Sequence, residues 1–303
     1  MPNYSKRLLD EKIEKKLKST GAILLKGVRF CGKTTTALHH AASSVRFDKS
    51  EMLREQAVLA PQIVLQGETP RLLDYVENIA YIDMRTLPAP PTPERIAALI
   101  RSLSRNISTE ASLEKLAVET GFTSNSVMAA STVRKYLDQL SEIFVLEELP
   151  AWKTHIRSSV QQRIKPKWHF VDTSIATAAL RILPNRFLND FDCFGLFFES
   201  MAIRDLRIYA DTLDGKVYHY RDSLGLEIDA VVELPNETWA AFEIKLGSTK
   251  SIDEAAENLQ KFLTRLIPEK AAQCSSLNVL IAGASSYTRK DGVNVVSLGH
   301  LCA

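Results

Sequence analysis

The sequence predicts an α/β protein built from three units. They are a truncated phosphate-loop unit, a helical unit closed by a hairpin, and a C-terminal mixed α/β unit. Three observations carry this reading. A Gly-x-x-x-x-Gly-Lys-Thr loop lies between an apolar run and a helical segment. Three amphipathic segments follow a proline spacer. An acid and a Glu-x-Lys triplet then occupy successive strand-like segments near the C-terminus.

The loop is Gly27-Val28-Arg29-Phe30-Cys31-Gly32-Lys33-Thr34, followed by Thr35. Glycines at its two fixed positions let backbone N–H groups close around a phosphate. Lys33 supplies a point charge for the terminal phosphates, and the Thr34 hydroxyl is placed for Mg²⁺. Gly27, Gly32, Lys33, Thr34 and Thr35 are therefore the candidate ATP-binding residues. Ala22-Ile23-Leu24-Leu25 reads as a buried strand leading into the loop, and Thr35 to Ser43 as the helix whose N-terminus favours an anion. Tyr4 to Ser19 reads as a preceding helix with Leu8, Leu9, Ile13 and Leu17 on one face. Ser44 to Asp48 reads as a short strand, and Lys49 to Gln66 as helical. The remaining length leaves no room for the further βα units of a complete nucleotide hydrolase.

Gly21 to Gly27, Cys31 to Thr36, and Gly67-Glu68-Thr69-Pro70-Arg71-Leu72-Leu73-Asp74 resemble segments of the prokaryotic AAA-type ATPases. The relevant members carry a C-terminal domain of unknown function with a restriction-endonuclease-like fold. The resemblance implies an acidic Asp-Glu strand at Asp74, where this chain has Tyr75. Tyr75 to Ile79 resembles a segment beyond the ATPase core, so the junction reads as an internal deletion. The resemblance thus implies an ATP-binding protein of impaired hydrolysis. The truncated unit, residues 1–85, is small enough to leave strand edges unpaired, which suits a homo-oligomer.

Pro88-Ala89-Pro90-Pro91-Thr92-Pro93 is a stiff spacer. Pro93 to Asn106, Leu113 to Thr120 and Ser131 to Glu142 read as helices, and Phe144 to Leu149 as a strand. Over residues 90–165 this makes a winged helix-turn-helix. Its third helix would direct Thr132, Arg134, Lys135 and Gln139 outward, toward DNA in one reading and toward protein in the other. Lys167 to Asp172 reads as a strand and Ser174 to Leu183 as a helix packed on it, opening the third unit, 166–303.

In that unit Phe197-Phe198-Glu199 lies in a helix running to about Tyr209. Lys216 to Arg221, Glu227 to Glu233, Trp239 to Lys245 and Leu277 to Ala282 read as strands, and Asp253 to Leu266 as an amphipathic helix. Strand alternation puts Glu243 and Lys245 on one face. Asp229 and Glu243 can then share a hard cation such as Mg²⁺, with Lys245 stabilising charge. Asp229, Glu243 and Lys245 are the candidate catalytic residues of a metal-dependent nuclease. Glu199, Asp229, Glu243 and Thr34 are the candidate metal ligands. The family pattern matches Glu199, Asp229, Glu243 and Lys245, and adds Gln260. The competing reading is a structural ion-pair network on a non-catalytic module.

Composition narrows little further. The chain has 303 residues and a net charge of +2, too small to argue for nucleic acid by itself. No apolar run reaches the ~18 residues of a membrane span. The four cysteines show no metal spacing and suit reduced thiols, so a cytoplasmic protein is expected.

Overall fold

A computed structural model describes residues 4–17, 25–27, 31–40, 76, 79, 80, 84, 92–121, 128–153, 165–182, 184–187 and 189–301. The expected segments 44–48, 49–66 and 67–75, most of the strand at 22–25, and most of the proline spacer lie outside these residues.

Helices α1 (Leu8–Leu17) and α2 (Lys33–His40) form around one buried acid. Asp10 accepts from the Arg7 N–H at 2.7 Å and from the Tyr4 hydroxyl at 2.6 Å, and its carboxylate lies 2.9 Å from His40 Nε2. Tyr4 stacks on His39 with ring centroids 3.9 Å apart. His39 and His40 thus pack the two helices together.

The helical module contains α3 (Pro93–Arg105), α4 (Leu113–Glu119) and α5 (Ala130–Glu142). Pro93 starts α3 where a missing N–H costs nothing. The Ser112 hydroxyl caps α4 by accepting from Lys115 N at 3.1 Å. The i, i+3, i+4, i+7 stripes are buried as their spacing requires: Ile96, Leu99, Ile100 and Leu103 on α3, and Val133, Tyr136, Leu137 and Leu140 on α5. Val76, Ile79, Ala80 and Met84 belong to this same core. Strands β1 (Leu146–Leu149) and β2 (Lys167–Phe170) then pair antiparallel. The hairpin therefore closes across residue 165, the expected boundary. Helix α6 (Thr173–Ala179), capped by Asp172, packs back on α3.

The C-terminal module opens with the long helix α7 (Phe191–Thr212). Strands β3 (Lys216–Arg221), β4 (Glu227–Glu233) and β5 (Trp239–Lys245) form an antiparallel meander. Helix α8 (Thr249–Arg265) carries the chain over the sheet, and after the short α9 (Pro268–Ala272) strand β6 (Cys274–Ile281) pairs parallel to β5. Strands β7 (Tyr287–Thr288) and β8 (Asn294–Ser297) complete the order β3-β4-β5-β6-β8-β7. The sheet is covered on both faces. Ile252, Ala255, Leu259 and Phe262 of α8 pack with Trp239, Val231 and Val279. Phe198, Ala202, Ile203 and Leu206 of α7 pack with Ala230, Ile244 and Leu280.

The two modules are joined through backbone as well as side chains. Trp152 N donates to His219 O at 2.7 Å and His219 N donates to Pro150 O at 3.0 Å. These bonds set Ala151 against the β3 edge as an isolated parallel bridge. Trp152 inserts into the C-terminal core beside Trp239, 5.0 Å away between centroids. The N-terminal pair docks through Lys12, whose ammonium lies 2.8 Å from Asp211 and 3.4 Å from Asp214 at the end of α7.

Candidate functional site

Asp229, Glu243 and Lys245 come together where β4 and β5 part. The last pair of their ladder is Ala230 with Phe242. Beyond it the Asp229 carboxylate accepts from the Ile244 N–H at 2.8 Å, replacing a main-chain acceptor. Lys245 Nζ lies 3.1 Å from the same Asp229 oxygen and 2.6 Å from Glu243 Oε2. One ammonium thus bridges two acids, of which Glu243 is only 3% exposed. Asn258 of α8 approaches the other Glu243 oxygen at 3.4 Å.

Glu199 reaches the same electrostatic cluster from α7. Its direct partner is Lys167 of β2, Nζ to Oε1 3.1 Å, in a contact buried on both sides. Gln260 does not join. Its amide donates to the Asp291 carbonyl at 3.1 Å, because it flanks the buried stripe of α8, and Asn258 occupies the place expected for it. Gln139 is also corrected: it is buried rather than outward, since the apolar face of α5 is wide enough to include it. Arg134 and Lys135 are exposed, but the Arg134 guanidinium is held by Asp138 at 3.0 Å and Glu148 at 3.4 Å and lies over Trp168.

Burial sets the ionisation of this cluster. It pushes the Glu243 carboxyl up to about 8, the Asp229 charge adding to the effect and Lys245 opposing it. Burial pushes Glu199 up to about 7, against the pull of Lys167. Burial acts on Asp229 too, but Lys245, Lys167 and the Ile244 N–H outweigh it and hold that carboxyl below its usual range. Burial alone would lower both lysines, yet the surrounding acids raise them. Neighbouring acids of opposite protonation are a common property of acid–base sites.

The donors suit a hard cation that keeps water or phosphate ligands. Mg²⁺ is usually held by one or two carboxylates plus substrate phosphates. Among the described residues, no group of three or more His, Cys, Asp or Glu is arranged to hold a metal ion, so Glu199 does not join Asp229 and Glu243 as a third ligand. Two buried carboxylates sharing one cationic neighbour fit the former arrangement.

The loop candidates lie elsewhere. Lys33 begins α2, and its ammonium donates to the Gly27 carbonyl at 2.7 Å. Gly32 has φ +82°, a left-handed conformation that favours glycine, and the Arg7 guanidinium fills the space beside its Cα. Arg7 donates to the Cys31 carbonyl at 2.8 Å. Thr34 and Thr35 are exposed at the start of α2. Thr34 is in another unit from Glu199, Asp229 and Glu243, so the expected metal ligands fall into two separate places.

Sequence reasoning missed Lys167 and Asn258. Lys167 had a signal in its strand: in Lys-Trp-His-Phe the polar residues alternate with the aromatic ones, and all four are buried. A buried lysine needs an acid. Asn258 had a weaker one, sharing the helical face of Ala255 and Phe262.

No helix among the described residues is long and apolar enough to cross a membrane. No solved structure matches the chain. The chain is similar to uncharacterized proteins of Mycobacterium tuberculosis and Mycobacterium bovis, each 30% identical over 128 residues. That match covers 42% of this chain and 28% of each relative, so the chain spans well under a third of their length. Residues 60–186 match a domain of unknown function (DUF8612). Residues 194–301 match another (DUF4143), often found with AAA-type ATPases. The two matches lie side by side over residues 60–301, meeting near the start of α7.

Proposed function

We propose that the Asp229–Glu243–Lys245 cluster is a divalent-cation site for phosphodiester cleavage, arranged as in restriction-endonuclease-like nucleases. The observation that supports it is the single ammonium shared by two buried carboxylates at a strand divergence. Mg²⁺ bound there would polarise a phosphoryl oxygen and lower the pKa of a bound water. Asp229 and Glu243 supply oxygen ligands. Lys245 keeps a fixed positive charge beside the scissile phosphate. On this reading the helical module is a winged helix-turn-helix whose hairpin braces the site. Mg²⁺ or Mn²⁺ should raise thermal stability, by about 3 kcal/mol at a hundredfold excess over Kd. Asp229→Asn and Glu243→Gln should remove that response while leaving a cooperative melt, and should abolish nicking of plasmid DNA in Mn²⁺. Equal cation responses in wild type and both variants would refute the site.

A second reading concerns the N-terminal loop. Its support is the left-handed Gly32 leading directly into α2 with Lys33 at the helix start. We infer that Gly27, Gly32, Lys33, Thr34 and Thr35 bind the phosphates of ATP with Mg²⁺. Hydrolysis should be absent or very slow, because Tyr75 stands at the expected glutamate and water-orienting groups usually contribute about 10²–10⁴-fold. Calorimetry should show ATP–Mg binding that Lys33→Ala abolishes. A turnover near ~1 s⁻¹, ordinary for an intact enzyme, that vanishes in Lys33→Ala would contradict the impaired-hydrolysis reading.

A further inference from the structure

We propose that Lys167 is a positioning residue of the cation site, so that the site is complete only when the helical module is docked on the C-terminal sheet. This rests on the cation-site reading above. The C-terminal module alone gathers two buried acids, Glu199 and Glu243, and the largely buried Asp229 against one lysine, Lys245. The second lysine comes from β2, on the other side of the module seam. Lys167 is 6% exposed, and its ammonium sits 3.1 Å from Glu199 Oε1. Asp229 and Glu227 also act on its charge.

The seam around this contact fixes β2 firmly. Two residues along the same strand, His169 Nδ1 lies 3.1 Å from the Ser200 hydroxyl, next to Glu199 on α7. The Ser108 hydroxyl donates to the Leu196 carbonyl at 2.9 Å, one turn earlier on that helix. Arg207 spans from α7 to Glu147 and to the Glu148 carbonyl on β1. Lys167 is thus held from both sides, as a group that orients another must be.

Its role follows from charge. With Lys167 present, Glu199 has its own cation, and Lys245 is left to span Asp229 and Glu243. With Lys167 removed, Glu199 becomes a buried acid whose remaining cationic neighbour is Lys245. It then competes with Asp229 and Glu243 for that ammonium, and the spacing of the two proposed ligands is lost. An isolated C-terminal module would suffer the same loss.

The test is Mn²⁺ binding by calorimetry to the full chain. Wild type, Asp229→Asn, Lys167→Met, Lys167→Arg, Glu199→Gln and the double variant Lys167→Met with Glu199→Gln are compared. Lys167→Met should weaken Mn²⁺ about 10- to 100-fold, the usual effect of losing an outer-shell partner, and Lys167→Arg should restore most of it. In the Glu199→Gln background Lys167→Met should have no further effect, because there is no acid left to orient. A purely structural lysine would lower the melting temperature without changing Mn²⁺ affinity. Wild-type affinity in Lys167→Met, or an equal loss in both backgrounds, overturns the proposal while leaving the cation site standing. If wild type and Asp229→Asn both take up no Mn²⁺, the cation reading fails and this proposal falls with it. Should Lys167→Met not fold, Glu199→Gln and the double variant decide: equal affinities support the proposal, and a tenfold gap overturns it.

Discussion

Asp229 and Glu243 touch the same ammonium yet ionise in opposite directions. Asp229 also accepts a backbone N–H and feels two lysines, so its charge is favoured; Glu243, with its side chain less exposed than that of Asp229, is penalised by burial and by a charged neighbour acid, so its proton is favoured. Glu199 shares the upward shift. These two carboxyls hold protons more tightly in the folded chain than in the unfolded one, where 4.5 is the ordinary value. The stabilisation is therefore full below about 4.5 and is lost as pH rises through about 7 to 8. Denaturant titrations across that window should show falling stability in wild type and a flatter profile in Glu243→Gln. Saturating Mg²⁺ should oppose the fall, since it binds the ionised form. Superimposable wild-type and Glu243→Gln profiles would contradict this assignment. The identities of Asp229, Glu243 and Lys245 were legible in the sequence because strand alternation puts residues two apart on one face. Lys167 was not, because its partner Glu199 lies 32 residues away and only the fold brings them together.

At the scale of elements, most helices and strands follow from local pattern. The meander β3-β4-β5 matches its expected limits because turn residues separate its apolar runs and each run alternates. Strands β7 and β8 were not foreseen: two and four residues carry too little period, and they are fixed by pairing with β6. The α1–α2 pair shows the opposite case, where a single acid does what a large core would do elsewhere. Asp10 ties Tyr4, Arg7 and His40, and these partners outweigh its burial and hold its carboxyl down to about 2. That contribution is present above pH 4 or so and is lost as pH falls through about 2. Asp10→Asn should loosen α2 selectively. Hydrogen exchange should quicken at Thr36 to His40, while β4, β5 and β6 keep their protection. Equal protection of α2 in both proteins would show that Asp10 is dispensable.

At the scale of the whole molecule, the hairpin, α7 and the sheet behave as one body. Residues 190–303 expressed alone would lose Trp152 from the aromatic core and both main-chain bonds at His219. They would also keep Glu199 buried without Lys167. Breaking a buried pair by removing one partner costs about 3–5 kcal/mol, a large part of a typical domain's stability. The fragment should melt well below the full chain or aggregate, and equal melting temperatures would refute the single-body description. The helix starting at Pro93 was readable from the sequence because a proline spacer and a change of periodicity mark it. The seam was not, because Ala151 and His219 are 68 positions apart and their bridge is non-local.

That bridge also covers part of the sheet's rim. An open sheet rim is a template for strands of other chains. Here the β3 rim is occupied at His219 by the chain's own Ala151. The opposite rim is β7, a strand of only two residues followed by Arg289 and Lys290. Fibre-like stacking would first have to pull Ala151 and its flanking residues off β3, or else extend a rim guarded by charge. The short segment that links the helical module to the sheet thus also shields the rim beside His219 from other strands.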